Sequence, residues 1–220
     1  MIELARTLAT PNETNKGSMT NDSIPSDMHE IYEPLFHDVC HLHRKWKMYC
    51  QLYASGESVV DLLSNSAPGF FRICHDLLVD DVLLSISRLT DQKQTLGKSN
   101  LTLDRLVHSV DTKKHHQLRQ DVERLFSDAR VKSAFAKDQR NKRIAHSDLS
   151  TKLQASLLSS FTKANIEDAL NAIRAVMNAV ELHFNTPLYS HGVNVAYVEY
   201  LSPFYADAQP LIARLRPPES

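Results

Sequence analysis

Residues 28–53 read MHEIYEPLFHDVCHLHRKWKMYCQLY, and their apolar side chains recur at steps of three and four residues. This is the period of one face of an α-helix, so the stretch predicts a long amphipathic helix. We expect Ser26 or Asp27 to cap its first turn and Gly56 to end it. Pro34 lies close enough to the start to be tolerated. The apolar face requires partner helices, which makes a single up-and-down, all-α bundle the expected fold class.

The rest of the chain supplies the partner helices. Residues 70–89 are its most apolar stretch and predict a central helix with neighbours on several sides, whose charged residues must be paired or face water. Residues 90–100 have the composition of a loop. Asp111 is the expected cap of the helix that follows it. The remaining helices are predicted at residues 101–110, 113–144, 149–160 and 165–184.

Length and composition limit the class of protein. A chain of 220 residues with 42% hydrophobic residues can build one domain with a core. The 25 Lys and Arg residues against 26 Asp and Glu exclude a globally basic protein that coats nucleic acid by charge alone. Only 5 Gly residues argue against Gly-rich phosphate loops and turn-rich β folds. We expect a disordered lead at 1–27, a helical domain at 28–186 and an irregular tail at 187–220.

Targeting and membrane signals are absent from the sequence. The N-terminus has no apolar segment of the kind that a secretory signal needs, and no stretch approaches the roughly 18 apolar residues of a membrane-spanning helix. Three Cys residues without paired spacing suit a reducing compartment. We therefore expect a soluble, cytoplasmic protein that does not contact a membrane.

One segment, residues 137–148, carries the residue types of a functional site. It reads KDQRNKRIAHSD and combines four cations with an imidazole. His146 can exchange a proton near neutral pH, and Arg140 offers a fork of donors that suits a phosphate. Asn141 offers both a donor and an acceptor. The remaining cations of the segment are Lys137, Lys142 and Arg143.

The spacing of this segment leaves its interpretation open. In a regular helix Arg140 and His146 lie about 120° apart around the axis. They could converge through a helix break near Ala145, through the length of the arginine side chain, or across the two-fold axis of a dimer. Alternatively, the segment is a solvated helix end, where cations are favoured by the helix dipole.

The pattern Arg140-Asn141-x4-His146 resembles the Arg-polar-x-His signature of the HEPN superfamily. Two further stretches, SRLTD at 87–91 and NLTLDRLV at 100–107, make the chain resemble its abortive-infection AbiU-like branch. The resemblance covers about residues 32–184, which is nearly all of the helical part.

This resemblance implies a metal-independent endoribonuclease, a toxin or anti-phage effector that acts as a homodimer with its composite site at the interface. His146 would act as general acid or base, Arg140 would neutralise charge on the phosphate, and Asn141 would orient the substrate. RNA cleavage would leave 2′,3′-cyclic phosphate and 5′-hydroxyl ends. Supporting or substrate-binding roles would fall to Lys142, Arg143, Asp148, Arg88 and Asp91.

The resemblance also implies control by a partner, either an antitoxin or a nucleotidyltransferase. Many catalytic members that a nucleotidyltransferase silences have a tyrosine two residues after the histidine, and Asp148 stands there in this chain. Control by tyrosine modification is therefore not expected. The alternative function is a non-catalytic helical dimer that binds RNA or a partner protein through the same cations. A purely structural interaction module is the third hypothesis.

Histidine pairs elsewhere in the chain do not predict a metal site. His41 and His43, like His115 and His116, are too close in sequence to share a helix face. His37 and His41 could share one, but no third ligand follows at a recognised spacing. We therefore expect no metal and no other cofactor, and we expect the three cysteines to be core thiols.

Overall fold

The computed structural model describes residues 24–141, 161–184 and 208–216. Within these ranges the chain forms eight α-helices and one two-stranded antiparallel hairpin, which confirms the all-α class. The predicted helix at 149–160 and the start of the lead lie outside the described residues. In chain order the elements are α1 Ser26–Tyr53, α2 Glu57–Ser66, α3 Pro68–Leu89, β1 Gln94–Thr95, β2 Lys98–Ser99, α4 Leu103–Ser109, α5 His116–Lys132, α6 Ala134–Gln139, α7 Lys163–Phe184 and α8 Gln209–Leu215.

Helix α1 is the scaffold on which the other helices pack. Its apolar face buries Leu35, Val39 and Leu42 completely, and it contacts α2, α3, α4 and α7. Both end predictions were wrong. Pro25 stands at the N-cap position without a side-chain cap, because the helix begins at Ser26, one residue earlier than a cap at Ser26 would require. Gly56, with φ +143°, precedes α2 and does not end α1.

The main core lies where α7 packs against α5 and α1. It is formed by large, fully buried side chains, among them Ile173 and Met177 of α7. One polar contact crosses this core, because Tyr32 Oη donates to Glu181 Oε2 over 2.7 Å. Burying a carboxylate requires such a partner, so the bond ties α1 to α7 at a defined register.

Helix α3 is central over only half its length. Its C-terminal half is buried, whereas Phe70, Ile73 and Leu77 are 61%, 61% and 63% exposed. We call these three residues the α3 stripe, since they lie at steps of three and four on one face. The expectation of neighbours on several sides was therefore wrong for this half. The expectation that its charges are paired holds for Asp81, whose Oδ2 lies 2.5 Å from Lys45 Nζ of α1.

The predicted helix at 113–144 is two helices in the structure. Asp111 accepts a bond from the Lys113 amide in a turn, so it does not cap α5, which begins only at His116. The helical conformation is interrupted at Ser133, which is 1% exposed and has φ −96° and ψ 0°. Helix α6 then packs against α3 in a new direction. The break thus brings the cationic segment to the end of α3.

Part of the predicted irregular tail is helical. Helix α8 lies within 187–220, and its Ile212 is buried in a second small core with Leu52, Leu63 and Phe71. The amide of Ala208 donates to Gln51 Oε1 over 2.9 Å, which fixes the start of α8 against α1. None of the described helices has both the length and the apolar character that crossing a membrane requires.

Candidate functional site

A carboxylate held by two cations lies where α6 meets the end of α3. Asp91 follows the last turn of α3, and its Oδ2 accepts a hydrogen bond from Arg140 Nη1. Its other oxygen lies 3.3 Å from Lys137 Nζ. Lys137 and Arg140 are three residues apart, so both reach out from the same side of α6. Side-chain exposures of 24% for Arg140 and 23% for Asp91 place this pair partly out of water, where charge pairing is stronger than at an open surface.

Arg140 is fixed at a second point. Its Nε donates to Asn141 Oδ1 over 3.1 Å, and both residues continue α6 in π-helical geometry. Single π-helical turns are rare and occur frequently at functional sites. Two bonds on different nitrogens set the plane of the guanidinium group, while Nη2 has no hydrogen-bond partner among the described residues. The guanidinium is thus oriented, and the donors of Nη2, which no described residue occupies, are of the kind that bind an anion.

The structure unites some of the predicted site residues and separates others. Arg140, Asn141 and Asp91 form one cluster. Arg88 does not join it, because its Nη2 lies 3.2 Å from Asp38 Oδ2 of α1. The remaining predicted site residues, which are Lys142, Arg143, His146 and Asp148, lie outside the described residues.

Arg88 and Asp91 nevertheless line one open groove of about 490 Å³. The groove lies between α1, the end of α3 and the hairpin β1–β2. Seven of its eight lining residues have polar or charged side chains, and one of them, Asp91, also holds Arg140. The groove therefore begins at the residue that orients the candidate catalytic arginine. The lining residues include Asp38, Arg88, Asp91, Thr95, Ser99 and Asn100.

The hairpin beside this groove is tight. Its two-residue turn, Leu96 and Gly97, has φ values of +48° and +79°, which is the backbone that closes two-residue hairpins. Gln94 pairs with Ser99, and Thr95 with Lys98. Sequence reasoning predicted only a loop here, because strands of two residues leave no alternating pattern.

Hydrogen bonds from α4 and from the residues that flank the strands hold the hairpin in place. Arg105 of α4 donates to the carbonyl oxygens of Asn100 and Lys93 over 2.7 and 2.9 Å. The Lys93 amide donates to Asp104 Oδ2 over 2.8 Å. Asn100 Nδ2 in turn donates to Thr95 Oγ1 over 2.8 Å. These bonds on both sides of the turn make the hairpin an extension of α4, so it presents a fixed edge to the groove.

Most of the chain matches one family of known proteins. A model of the AbiU2 family of HEPN domains matches residues 26–209. The chain belongs to this family. The predicted membership of the HEPN superfamily and its AbiU-like branch is therefore confirmed, and the AbiU2 match extends further at both ends than the predicted 32–184. No curated protein and no solved structure matches the chain.

Two contacts in the AbiU2 chain were not foreseen. The Arg88–Asp38 pair joins residues 50 positions apart, and nothing in the sequence around either residue indicates it. His183 Nε2 lies 3.0 Å from His115 Nδ1, a contact between residues 68 positions apart. No group of three or more potential metal-ligating side chains comes together in the part of the chain that the structure describes.

Proposed function

We propose that this AbiU2-family protein is a metal-independent endoribonuclease that acts as a toxin or anti-phage effector. The observation that carries the proposal is the fixed guanidinium of Arg140, the arginine of the family motif, between Asp91 and Asn141. A donor group that is oriented before the substrate arrives stabilises developing charge without reorganising during the reaction.

The proposed reaction transfers a phosphoryl group within the RNA. The ribose 2′-oxygen attacks the adjacent phosphorus, and the bond from phosphorus to the 5′-oxygen of the next nucleotide breaks. A base removes the 2′-hydroxyl proton, and an acid delivers a proton to the leaving 5′-oxygen. His146 serves as one of these two groups. The products are a 2′,3′-cyclic phosphate and a 5′-hydroxyl end.

Arg140 and its neighbours bind the phosphate in this scheme. Negative charge develops on the non-bridging oxygens of the pentacoordinate transition state. The donors of Arg140 that no described residue occupies would stabilise this charge. Asp91 is shared by two cations, so the cluster of Asp91, Lys137 and Arg140 keeps a net positive charge. Asn141 orients the substrate, and Lys142 and Arg143 add attraction for the RNA backbone.

We also propose that the enzyme is a homodimer in which two motifs face each other. Arg140 and His146 are six residues apart, which places them on different sides of a regular helix. A two-fold axis would bring an arginine of one copy to a histidine of the other. Mixing Arg140→Ala protein with His146→Ala protein tests this. Recovered cleavage in the mixture supports a composite site, and a mixture as inactive as its components refutes it.

The test of the enzyme itself compares purified variants on single-stranded RNA in EDTA. We expect wild-type protein to produce cyclic phosphate ends, His146→Ala to be inert, and Arg140→Ala to cut about 10²–10³-fold more slowly. Arg130→Ala is the matched control, because Arg130 is an exposed arginine of α5 outside the site. Equal cleavage by wild type and His146→Ala would refute the proposal.

Growth assays test the proposed toxin role. Induced expression of wild-type protein should arrest growth, and His146→Ala should relieve the arrest. The alternative, a non-catalytic dimer that binds RNA or a partner protein, predicts salt-sensitive binding that Arg140→Ala and Arg143→Ala weaken, without cleavage products.

A further inference from the structure

The Arg88–Asp38 pair and the braced hairpin have no role in the phosphoryl transfer described above. Both border the groove that Asp91 also lines. We propose that this groove binds the base of the nucleotide next to the cut phosphate, and that it selects guanine in unpaired RNA. The proposal rests on the proposed ribonuclease function, and it adds the substrate preference of that site.

Position connects the groove to the reacting phosphate. Asp91 accepts a bond from Arg140 Nη1 and also lines the groove, so one side chain separates the two. A phosphate bound to the open donors of Arg140 therefore places its neighbouring nucleoside at the groove. The volume of about 490 Å³ lies within the roughly 300–1,000 Å³ of pockets that bind small organic molecules.

The groove presents a donor beside an acceptor. Arg88, whose side chain is 61% exposed, uses Nη2 for Asp38 Oδ2 at 3.2 Å. The other guanidinium nitrogens of Arg88 and the Oδ1 atom of Asp38 have no hydrogen-bond partner among the described residues. An incoming base can therefore receive a hydrogen bond from Arg88 and donate one to Asp38 at the same time.

Guanine fits this pair better than the other bases. It presents the acceptor O6 next to two donors, N1–H and N2–H₂, so it can accept from Arg88 and donate to Asp38 with two groups. Adenine, cytosine and uracil also place an acceptor beside a donor, but each offers only one donor group to Asp38 at that position, whereas guanine offers two. These edges are engaged in duplex RNA, so a base must be unpaired and splayed out to reach the pair. The substrate class is therefore single-stranded RNA or loops with guanosine beside the cut.

The hairpin supplies the rigid wall that such selection needs. Arg105 and Asn100 hold it from two sides, so its hydroxyl groups at Thr95 and Ser99 keep their places before the RNA binds. A preformed wall avoids the loss of conformational entropy that ordering a mobile loop would require. Thr95 and Ser99 can then bond the ribose or its phosphate.

The first experiment maps cleavage sites on a pool of random single-stranded RNA by sequencing the new ends. We expect guanosine to be enriched at one position beside the cut. Asp38→Asn and Arg88→Ala should lower that enrichment by about 5–100-fold, the discrimination expected from one bidentate base contact. Arg72→Ala is the control, because Arg72 belongs to an exposed pair with Asp76 on the same helix α3, at 3.4 Å. Wild-type cuts with no guanosine preference, or a preference that both groove variants retain, would overturn the proposal.

The second experiment separates this proposal from the catalytic one. The His146→Ala protein is titrated with a short labelled RNA that contains one guanosine, and with the same RNA containing inosine, which lacks the N2 amino group. We expect inosine to weaken binding several-fold in this background and to have no effect once Asp38→Asn is added. If wild-type protein cuts RNA but inosine binds as well as guanosine, the groove proposal fails while the ribonuclease stands. If no cleavage occurs but the inosine effect is present, the groove binds RNA and the ribonuclease proposal fails.

Discussion

The charge of Asp91 is the most informative single change in the site. Asp91→Asn keeps the shape of the side chain and one acceptor oxygen, but it removes the charge that Lys137 and Arg140 share. Exposed ion pairs contribute about 0–1 kcal/mol to stability, and hydrogen bonds to charged groups about 1.5–3 kcal/mol. Asp91 is 23% exposed and lies between these cases, so we expect the free energy of unfolding to fall by about 1–2 kcal/mol.

The effect on RNA cleavage should be larger than the effect on folding. The neutral amide oxygen that remains at position 91 is a weaker acceptor than the carboxylate, so the guanidinium of Arg140 is held less firmly and samples orientations that do not face the phosphate. We expect the rate to fall by about 10–100-fold, which corresponds to about 1.4–2.7 kcal/mol in the barrier. Because the change acts through Arg140, Asp91→Asn should have little further effect in an Arg140→Ala protein.

Single-turnover cleavage of a defined RNA measures this coupling, with thermal melting recorded on the same samples. Asp128→Asn is the matched control, since Asp128 pairs with Lys132 on α5 at 2.8 Å and lies outside the site. An Asp91→Asn protein that cuts at the wild-type rate would refute the positioning role. So would rate losses of Asp91→Asn and Arg140→Ala that simply multiply in the double variant.

Two further outcomes concern the core. Tyr32→Phe removes the donor to Glu181 Oε2, and since both residues are buried we expect urea denaturation to show about 1.5–3 kcal/mol less stability. Burial raises the pKa of the Cys40 thiol from 9.0 to about 11, so it should react with iodoacetamide at pH 8 far more slowly than in the unfolded chain, as mass spectrometry can measure. Because the unfolded thiol ionises first, this contribution to stability is complete below about pH 9 and is lost as the pH rises towards 11; equal alkylation of folded and unfolded Cys40 would contradict the reasoning.

The long helices were predictable because their apolar residues follow one period. Helices α1 and α7 lie within two residues of their predicted bounds. The break at Ser133 was not predictable, since neither Gly nor Pro marks it and the residue itself suits a helix or a turn. Tertiary packing of α6 on α3 ends the helix there, and a local pattern does not record such a contact.

The candidate site, like the fold, was predictable only where the information is local in sequence. Arg140 and Asn141 could be singled out as candidates because they stand next to each other in the pattern that carries the family resemblance. The partner of Arg140 could not, since Asp91 lies 49 residues away and the bond depends on how α6 turns at its start. The sequence predicts the same supporting role for Arg88 and Asp91. In the structure their partners lie on different helices, since Arg88 binds Asp38 of α1 and Asp91 binds Arg140 at the end of α6. The apolar composition of residues 70–89 likewise predicted neighbours on several sides of α3, because composition does not reveal which apolar residues lack a neighbour.

The α3 stripe has a practical consequence for every assay described above. Three large apolar side chains exposed on one helix face make this a surface through which purified molecules can associate non-specifically. Sulfate salts strengthen such apolar contact, whereas rising ionic strength weakens the attraction of RNA to Arg140 and its neighbours. The two processes therefore respond to salt in opposite directions. Buffers of low ionic strength, which give the tightest RNA binding, are also the conditions that least favour non-specific association through the α3 stripe.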